Sequence, residues 1–565
     1  MSSSLPRTVR ITLLFAALAL ALRASAEVPW EGDVRLEQRV TVEAEGVPLG
    51  ELLALLSEKT GIRFSARGDI AEDKVIVFAR RRTLNTLLDD LAALFDYTWE
   101  RKREAVDTQP SYELFMSRRA LNRQNALMRA SQQRISAQID EFVTALALSP
   151  EELASLPDGN PIREYLGNAN TRTGLQLYAL LTPAQRQALW AERRLSAPYS
   201  SLTPAQQEAV AAVMDHVIAE IHKNREKYRD NPEVYNRITV PRMEDLPGGL
   251  VQFRLRKIGG NMLLLLQLPG AGIPVAGVAT QSAWLLPPHG EPYVEKPSTP
   301  SEPLPVVSDT KAALSAGNSI LDRLRHLAGN SSFTLLADFY RSRPFATPLE
   351  NAPAEPLSSM EALDALCHEP GYLWWKRGDA LLFRKRDWYV QRTMEVPDSF
   401  YLALAERVKA NGGRLTVADL LRLRTLTQAQ IAGMNSIFTP LADESLLDGL
   451  PELLALIAAL PPRRAEALFG PEGPGLVAAD LSPQTQKYAL AFARVQTLLN
   501  GPQDAPGFVV RMNTRLRPSS RPGVPTGTQV ELKWTLGNRN GVYYLFMPHA
   551  LPDDHRAATR VETDR

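Results

Sequence analysis

Two stretches of leucine at helical spacing, each flanked by short alternating apolar runs, most limit what this chain can fold into. In VPLGELLALLSEKTGIRFS (47–65), Leu49, Leu52, Leu53, Leu55 and Leu56 form one wide apolar face, so the segment reads as a helix. Thr60-Gly61 stops it, because glycine suits the left-handed position after a helix end. Leu36, Val40 and Val42 give a strand pattern before the helix; Ile62 with Phe64, and Val75 with Val77 and Ala79, give strands after it. Thr83 opens a second helix with a stripe of Leu84, Leu87, Leu88, Leu91 and Leu94, and Tyr97-Thr98-Trp99 resumes strand. The sum is a small α+β unit, expected as two helices on one face of a short sheet.

The order of PLGELLALLSEKTGIRFS, DKVIVFA and TLNTLLDDLAALFDYTWE resembles the secretin and TonB short N-terminal (STN) domain over residues 36–117. That domain is a periplasmic module of outer-membrane secretins and signalling TonB-dependent receptors. Residues 319–386 look like a degenerate second copy, with SILDRLRHLAGNSSFTLLADF followed by SMEALDALCHEPGYLWWKRGDALLFRKR. The resemblance implies modules that bind other proteins and implies no reaction. It supplies no channel, because neither a barrel's regular alternation nor a secretin pore is recognisable downstream. An edge strand of such a module would accept a partner strand, with main-chain hydrogen bonds providing affinity.

Spacing extends the likeness to the whole chain. Trp99 and Pro269 lie 170 residues apart, and Trp374 and Pro548 lie 174 apart. VQFRLRKIGGNMLLLLQLP (251–269) and VELKWTLGNRNGVYYLFMP (530–548) both read as β-hairpins. An internal duplication is therefore expected. PPHGEPYVEKPSTPSEPLP (287–305), with seven prolines, reads as an extended linker between the halves. The resulting division is a signal segment 1–26, an STN-like module 27–119, helices 120–245 and a hairpin segment 246–286. A proline-rich linker 287–311, a second module 312–392, helices 393–500, a hairpin segment 501–550 and a polar tail 551–565 follow. In the helical parts, Ile135, Ile139, Phe142, Val143 and Leu146 make one stripe. LTPAQ at 181–185 and at 202–206 looks like helix punctuation, with Thr182 and Thr203 as caps and Gln185 and Gln206 completing capping boxes.

The compartment follows from residues 1–26. Arg7 and Arg10 precede an apolar run from Ile11 to Leu22, and Ala24-Ser25-Ala26 fits a cleavage site, so export to the periplasm or the exterior is expected. Cleavage after Ala26 removes three arginines and no acids, taking the formal charge from +1 to −2. A near-neutral chain gives no reason to invoke nucleic acid. No later apolar run approaches the about 20 residues of a membrane helix. Cys367 is the single cysteine, so no intrachain disulfide forms and a buried thiol is expected.

No enzyme motif stands out. HExxH, GxSxG and the P-loop are absent from the sequence, and Gly329-Asn330-Ser331-Ser332-Phe333 lacks the second glycine of a nucleophile elbow. His216 and His222 fall on different faces of an expected helix, and Asp89-Asp90 and Glu151-Glu152 diverge by about 100° and read as solvated. No cofactor and no metal is implied. Tyr97 with Trp99, and Tyr372 with Trp374, share strand faces and read as core, whereas Trp375 points the other way and is the candidate for an exposed partner contact. Arg80-Arg81-Arg82 and the set Arg118, Arg119, Arg123, Arg129 and Arg134 read as solvated surface. The sequence thus points to an exported, non-enzymatic interaction or scaffold protein of the bacterial cell envelope. An extracytoplasmic glycan- or peptide-binding protein, or a hydrolase without a recognisable motif, is the alternative.

Overall fold

The computed structural model describes residues 30–102, 109–192, 194–258 apart from 228, 232–234, 236–239 and 241, then 261–268, 282–286, 320–330, 333–341, 359–368, 371–436, 447, 449–468, 481–497, 508–517, 526–536, 539–551 and 559–563. The expected signal segment and the proline-rich linker lie outside them.

The first unit runs in the expected order. β1 (Arg39–Pro48) leads into a helix over Leu49–Thr60, β2 (Phe64–Ala66) and β3 (Lys74–Thr83) follow, a helix spans Leu84–Phe95, and β4 (Thr98–Lys102) and β5 (Ser111–Phe115) complete it. Gly61 ends the first helix at φ 72°, with its N–H on the Ser57 carbonyl at 3.0 Å. Helices between Arg118 and Glu226 carry β6 (Arg194–Pro198), and β7 (Leu250–Ile258), β8 (Asn261–Gln267) and β9 (Ser282–Leu286) come next. The second unit has a helix Ile320–Asn330, β10 (Thr334–Phe339), a helix Ser359–His368, β11 (Tyr372–Arg377) and β12 (Ala380–Lys385). Helices between Trp388 and Thr497 precede β13 (Phe508–Arg517), β14 (Gly527–Leu536), β15 (Arg539–Pro548) and β16 (Arg560–Thr563). The protein is α+β.

The two units do not build separate sheets. Six strands join in the order β11-β12-β10-β3-β1-β16, and β2, β5 and β4 form a small sheet of their own. This corrects the single short sheet expected for the first unit: its strands divide between two sheets, and its helices pack with both. The cause is the apolar content of both faces of β3. Val75, Val77 and Ala79 enter a core with Leu52, Leu53, Leu88 and Leu91, whereas Ile76 and Phe78 enter a second core with Leu324, Leu327, Leu363 and Leu366. β10 alternates in the same way, with Leu336 in the first core and Leu335 and Ala337 in the second.

Within the second unit β10 pairs β12 in parallel and β11 pairs β12 antiparallel, as β2, β5 and β4 do in the first. Trp99 donates its indole N–H to the Leu88 carbonyl at 2.9 Å, and Trp374 donates to Asp364 Oδ1 at 2.8 Å, each reaching a helix of its own unit. Cys367 is buried and free, and burial pushes its thiol pKa up.

Farther along, the hairpins β7–β8 and β14–β15 each gain a strand on the same side, β6 or β13. Their connections differ: β6 precedes the helix Pro204–Glu226, whereas β13 follows its helices directly. The segment 120–245 is therefore not wholly helical, because β6 completes the hairpin's sheet. Helix punctuation holds locally. Thr182 and Gln185 exchange backbone N–H bonds at 3.2 and 2.9 Å, Thr203 and Gln206 do so at 3.3 and 3.0 Å, and Ser149 with Glu152 closes a third capping box.

A substitution on β3 distinguishes the shared sheet from two independent units. Ile76 is fully buried against the second unit's helices, so Ile76→Ala should cost about 2 to 5 kcal/mol. An isolated first unit would leave that face in water, where a change of roughly 0.5 kcal/mol or less is usual; a urea midpoint unchanged by Ile76→Ala would refute the shared sheet.

Candidate docking site: sheet edges and a charged seam

β1 and β3 pair with each other in the first unit, which by itself would leave two open edges. Both are taken by strands from elsewhere in the chain. β10 lies antiparallel along β3, from Leu335 opposite Phe78 to Phe339 opposite Lys74. β16 lies antiparallel along β1, from Thr563 opposite Val40 to Arg560 opposite Glu43. The expected polar tail 551–565 is thus corrected: Val561 is buried in the first core, because β1 has a hydrogen-bonding edge and an apolar row to offer it. β11 and the outer side of β16 are the edges of the large sheet among the described residues.

Trp375, the sequence candidate for an exposed contact, lies on β11 but is only half-buried there, packed against the first core. It does point away from Tyr372 and Trp374, which are buried in the second core. Packing against that core takes away part of the solvent exposure that alternation alone implied. β11 thus offers an edge backbone among the described residues together with a partly exposed Trp375 ring.

Close approach at the junction is tight. Gly46 forms a bulge in β1 at φ 69°, and a Cβ there would lie 2.7 Å from the Phe339 ring of β10. Its carbonyl accepts from Arg341 Nη2 at 3.2 Å. Arg341 also grips Asp398 through two bonds, at 2.9 and 2.8 Å. Lys74, with no exposed side-chain surface, contacts Glu395 at 2.5 Å and Asp398 at 3.2 Å. Burial opposes its charge, yet Glu395 and Asp398 outweigh that and hold its pKa above the ordinary lysine value. Beside them Arg392 binds Asp73 at 3.0 Å, and Tyr97 donates to the same carboxylate. Residues near 74, 341 and 395 therefore meet at one end of the sheet.

The other end carries a second set of charges. Arg82 pairs with Asp90 at 2.5 Å and with Asp379 of the β11–β12 turn, and Arg377 stands 3.5 Å from Asp90. The solvated readings of Arg82 and Asp90 are therefore wrong: both are buried, because the second unit closes over them. Burial pushes Asp90 up to about 6 in spite of Arg82. Arg118, Arg119, Arg123, Arg129 and Arg134 are exposed as expected.

Between the ends, Asp338 of β10 is fully buried, with Oδ1 accepting the Lys385 N–H at 2.8 Å. Burial pushes its carboxyl up to about 7, against the pull of Arg384. Arg384 stacks over Trp388, 3.7 Å from the ring centroid, and donates to the Phe95 carbonyl at 3.1 Å, so it too ties the units together. These contacts orient and lock the two units. Among the described residues no group of three or more His, Cys, Asp or Glu side chains gathers to hold a metal, and no helix is long and apolar enough to cross a membrane.

No family model, no curated protein and no solved structure matches the chain.

Asp338 links the junction to pH. Its ordinary value is 3.8 and its folded value about 7, so the stability it contributes as a neutral acid is present below 3.8 and is lost as pH rises through 7. Asp338→Asn stays neutral throughout, so its stability relative to the parent should rise between pH 4 and pH 8 in urea unfolding. A stability difference independent of pH would show that Asp338 titrates as an ordinary exposed acid.

Proposed function

We propose that this is an exported, non-enzymatic docking or scaffold protein of the bacterial cell envelope, working in the periplasm or outside the cell. Its two STN-like modules, the products of an internal duplication, bind an envelope protein by strand addition. The observation that carries this reading is that the first module's two sheet edges each receive a strand from a distant part of the chain, β10 on β3 and β16 on β1. A module whose edges take foreign strands inside one chain has the geometry to take them from another. The sheet's open edge β11 is the docking edge in this reading, and the equivalent topology of β2-β5-β4 and β10-β12-β11 supports the duplication. The burial of Tyr97, Trp99, Tyr372 and Trp374 weighs against a glycan platform built from these rings.

Proline on β11 tests the reading. Lys376 and Arg377 are adjacent, so their N–H groups point to opposite sides of the strand and one of them faces the open edge. The mature chain should capture an envelope protein from extract, and of Lys376→Pro and Arg377→Pro the variant that keeps its circular dichroism should bind it at least tenfold more weakly. Equal binding by both folded variants would remove β11 as the docking edge.

A further inference from the structure

The strand β16 occupies the edge of β1 poorly. β1 spans ten residues, but β16 pairs with only Val40–Glu43 and leaves the edge from Ala44 to Pro48 without a strand among the described residues. One apolar side chain anchors it, Val561 at 5% exposure, while the side chains of Arg560 and Glu562 are exposed and bond each other at 2.8 Å. Just before the strand, the Thr559 hydroxyl is buried without a hydrogen-bond partner among the described residues. An unsatisfied polar group of that kind weakens the strand that carries it.

The neighbouring surface shows what would fit better. Along β1, Val40, Val42 and Ala44 turn into the first core, while Glu43 is exposed on the other face. A strand antiparallel to β1 would therefore place β-branched residues beside Val40, Val42 and Ala44 and a basic residue beside Glu43, where β16 already has Arg560. A segment of eight or more residues would also gain the ladder beyond Ala44 that β16 forgoes.

We propose that β1 is a second strand-acceptor site, held in reserve by β16, and that its ligand is an extended segment of a partner protein alternating β-branched and basic residues. This rests on the reading of the modules as strand-addition devices, but it concerns the opposite edge of the sheet from β11. β16 is the occupant in cis. Its covalent attachment gives it a high effective concentration, so a partner strand displaces it only by pairing over more of β1.

The probe is a dye-labelled ten-residue peptide alternating valine with lysine, followed by fluorescence anisotropy. It should bind the chain lacking residues 559–563, and the Val561→Asp chain, at least tenfold more tightly than the unaltered chain. Among Val40–Glu43, hydrogen exchange should be fast in both variants at the amides that face β16, with those facing β3 still slow, and slow again at the former with the peptide bound. A peptide of the same sequence with alternate backbone nitrogens methylated should not bind, because it lacks the ladder donors. Equal affinity for all three chains, or binding by the methylated peptide, would overturn the proposal. Loss of native circular dichroism in both variants would overturn it too, by making β16 a required part of the fold; a dimer of the unaltered chain that exchanges β16 between copies would replace the partner strand with a second copy. Capture of an envelope protein through β11 is measured separately, so the docking reading can survive any of these failures.

Discussion

The burial of β3 on both faces is the constraint from which the arrangement of the two units follows. Its residues from Lys74 to Ala79 are all buried, with Val75 and Val77 on one side and Ile76 and Phe78 on the other. Each such apolar side chain is worth about 1.5 to 3 kcal/mol when fully buried. One helical layer can cover only one face, so a second layer has to come from elsewhere in the chain. β10 brings it, and in pairing with β3 it also satisfies the backbone of that edge.

Charges then fix the register that the apolar residues leave loose. A sheet built of valine, leucine and alanine could slip by two residues and still bury its apolar face. Slipping would separate Lys74 from Glu395 and Asp398, and Arg82 from Asp379, at opposite ends of the sheet. Buried pairs of this type add little net stability, because desolvation consumes most of the Coulomb gain. Breaking one, however, strands a charge in the interior, so alternatives are penalised more than the native pairing is rewarded. The charged seam is in that sense a device for specificity.

What the sequence made legible was local. The helix 49–60 with its Gly61 stop, the stripe of 84–94 and the capping boxes at Thr182 and Thr203 depend on residues three or four apart, and each appears as read. The shared sheet depends on residues some 260 positions apart, such as Val77 and Leu336, which no local period encodes. A signal was nevertheless present: VIVFA is apolar without interruption, which marks a strand covered on both sides. Val75, Val77 and Ala79 taken alone from that run predict a one-sided sheet, which leaves Arg82 and Asp90 in solvent where the structure buries them, and Trp375 more exposed than its half-buried position. The ion cluster was illegible for a different reason, since Lys74, Arg341, Glu395 and Asp398 converge from three segments with no motif among them.

An unpaired strand edge is an aggregation hazard, and proteins blunt it with short strands, charges or a covering segment. All three devices occur on this sheet. β16 covers β1 at Val40–Glu43 and is itself only four residues long, so its own outer edge is short and carries Arg560 and Glu562. β11 ends in Lys376 and Arg377. In a parallel stack of copies those positive charges would lie one above another about 4.8 Å apart, the spacing of adjacent strands, and repel. The same charges do not oppose a partner strand with acidic or neutral residues at that end. In the docking reading proposed above, protection against parallel self-stacking and selection of a partner would therefore be one electrostatic property of the edge.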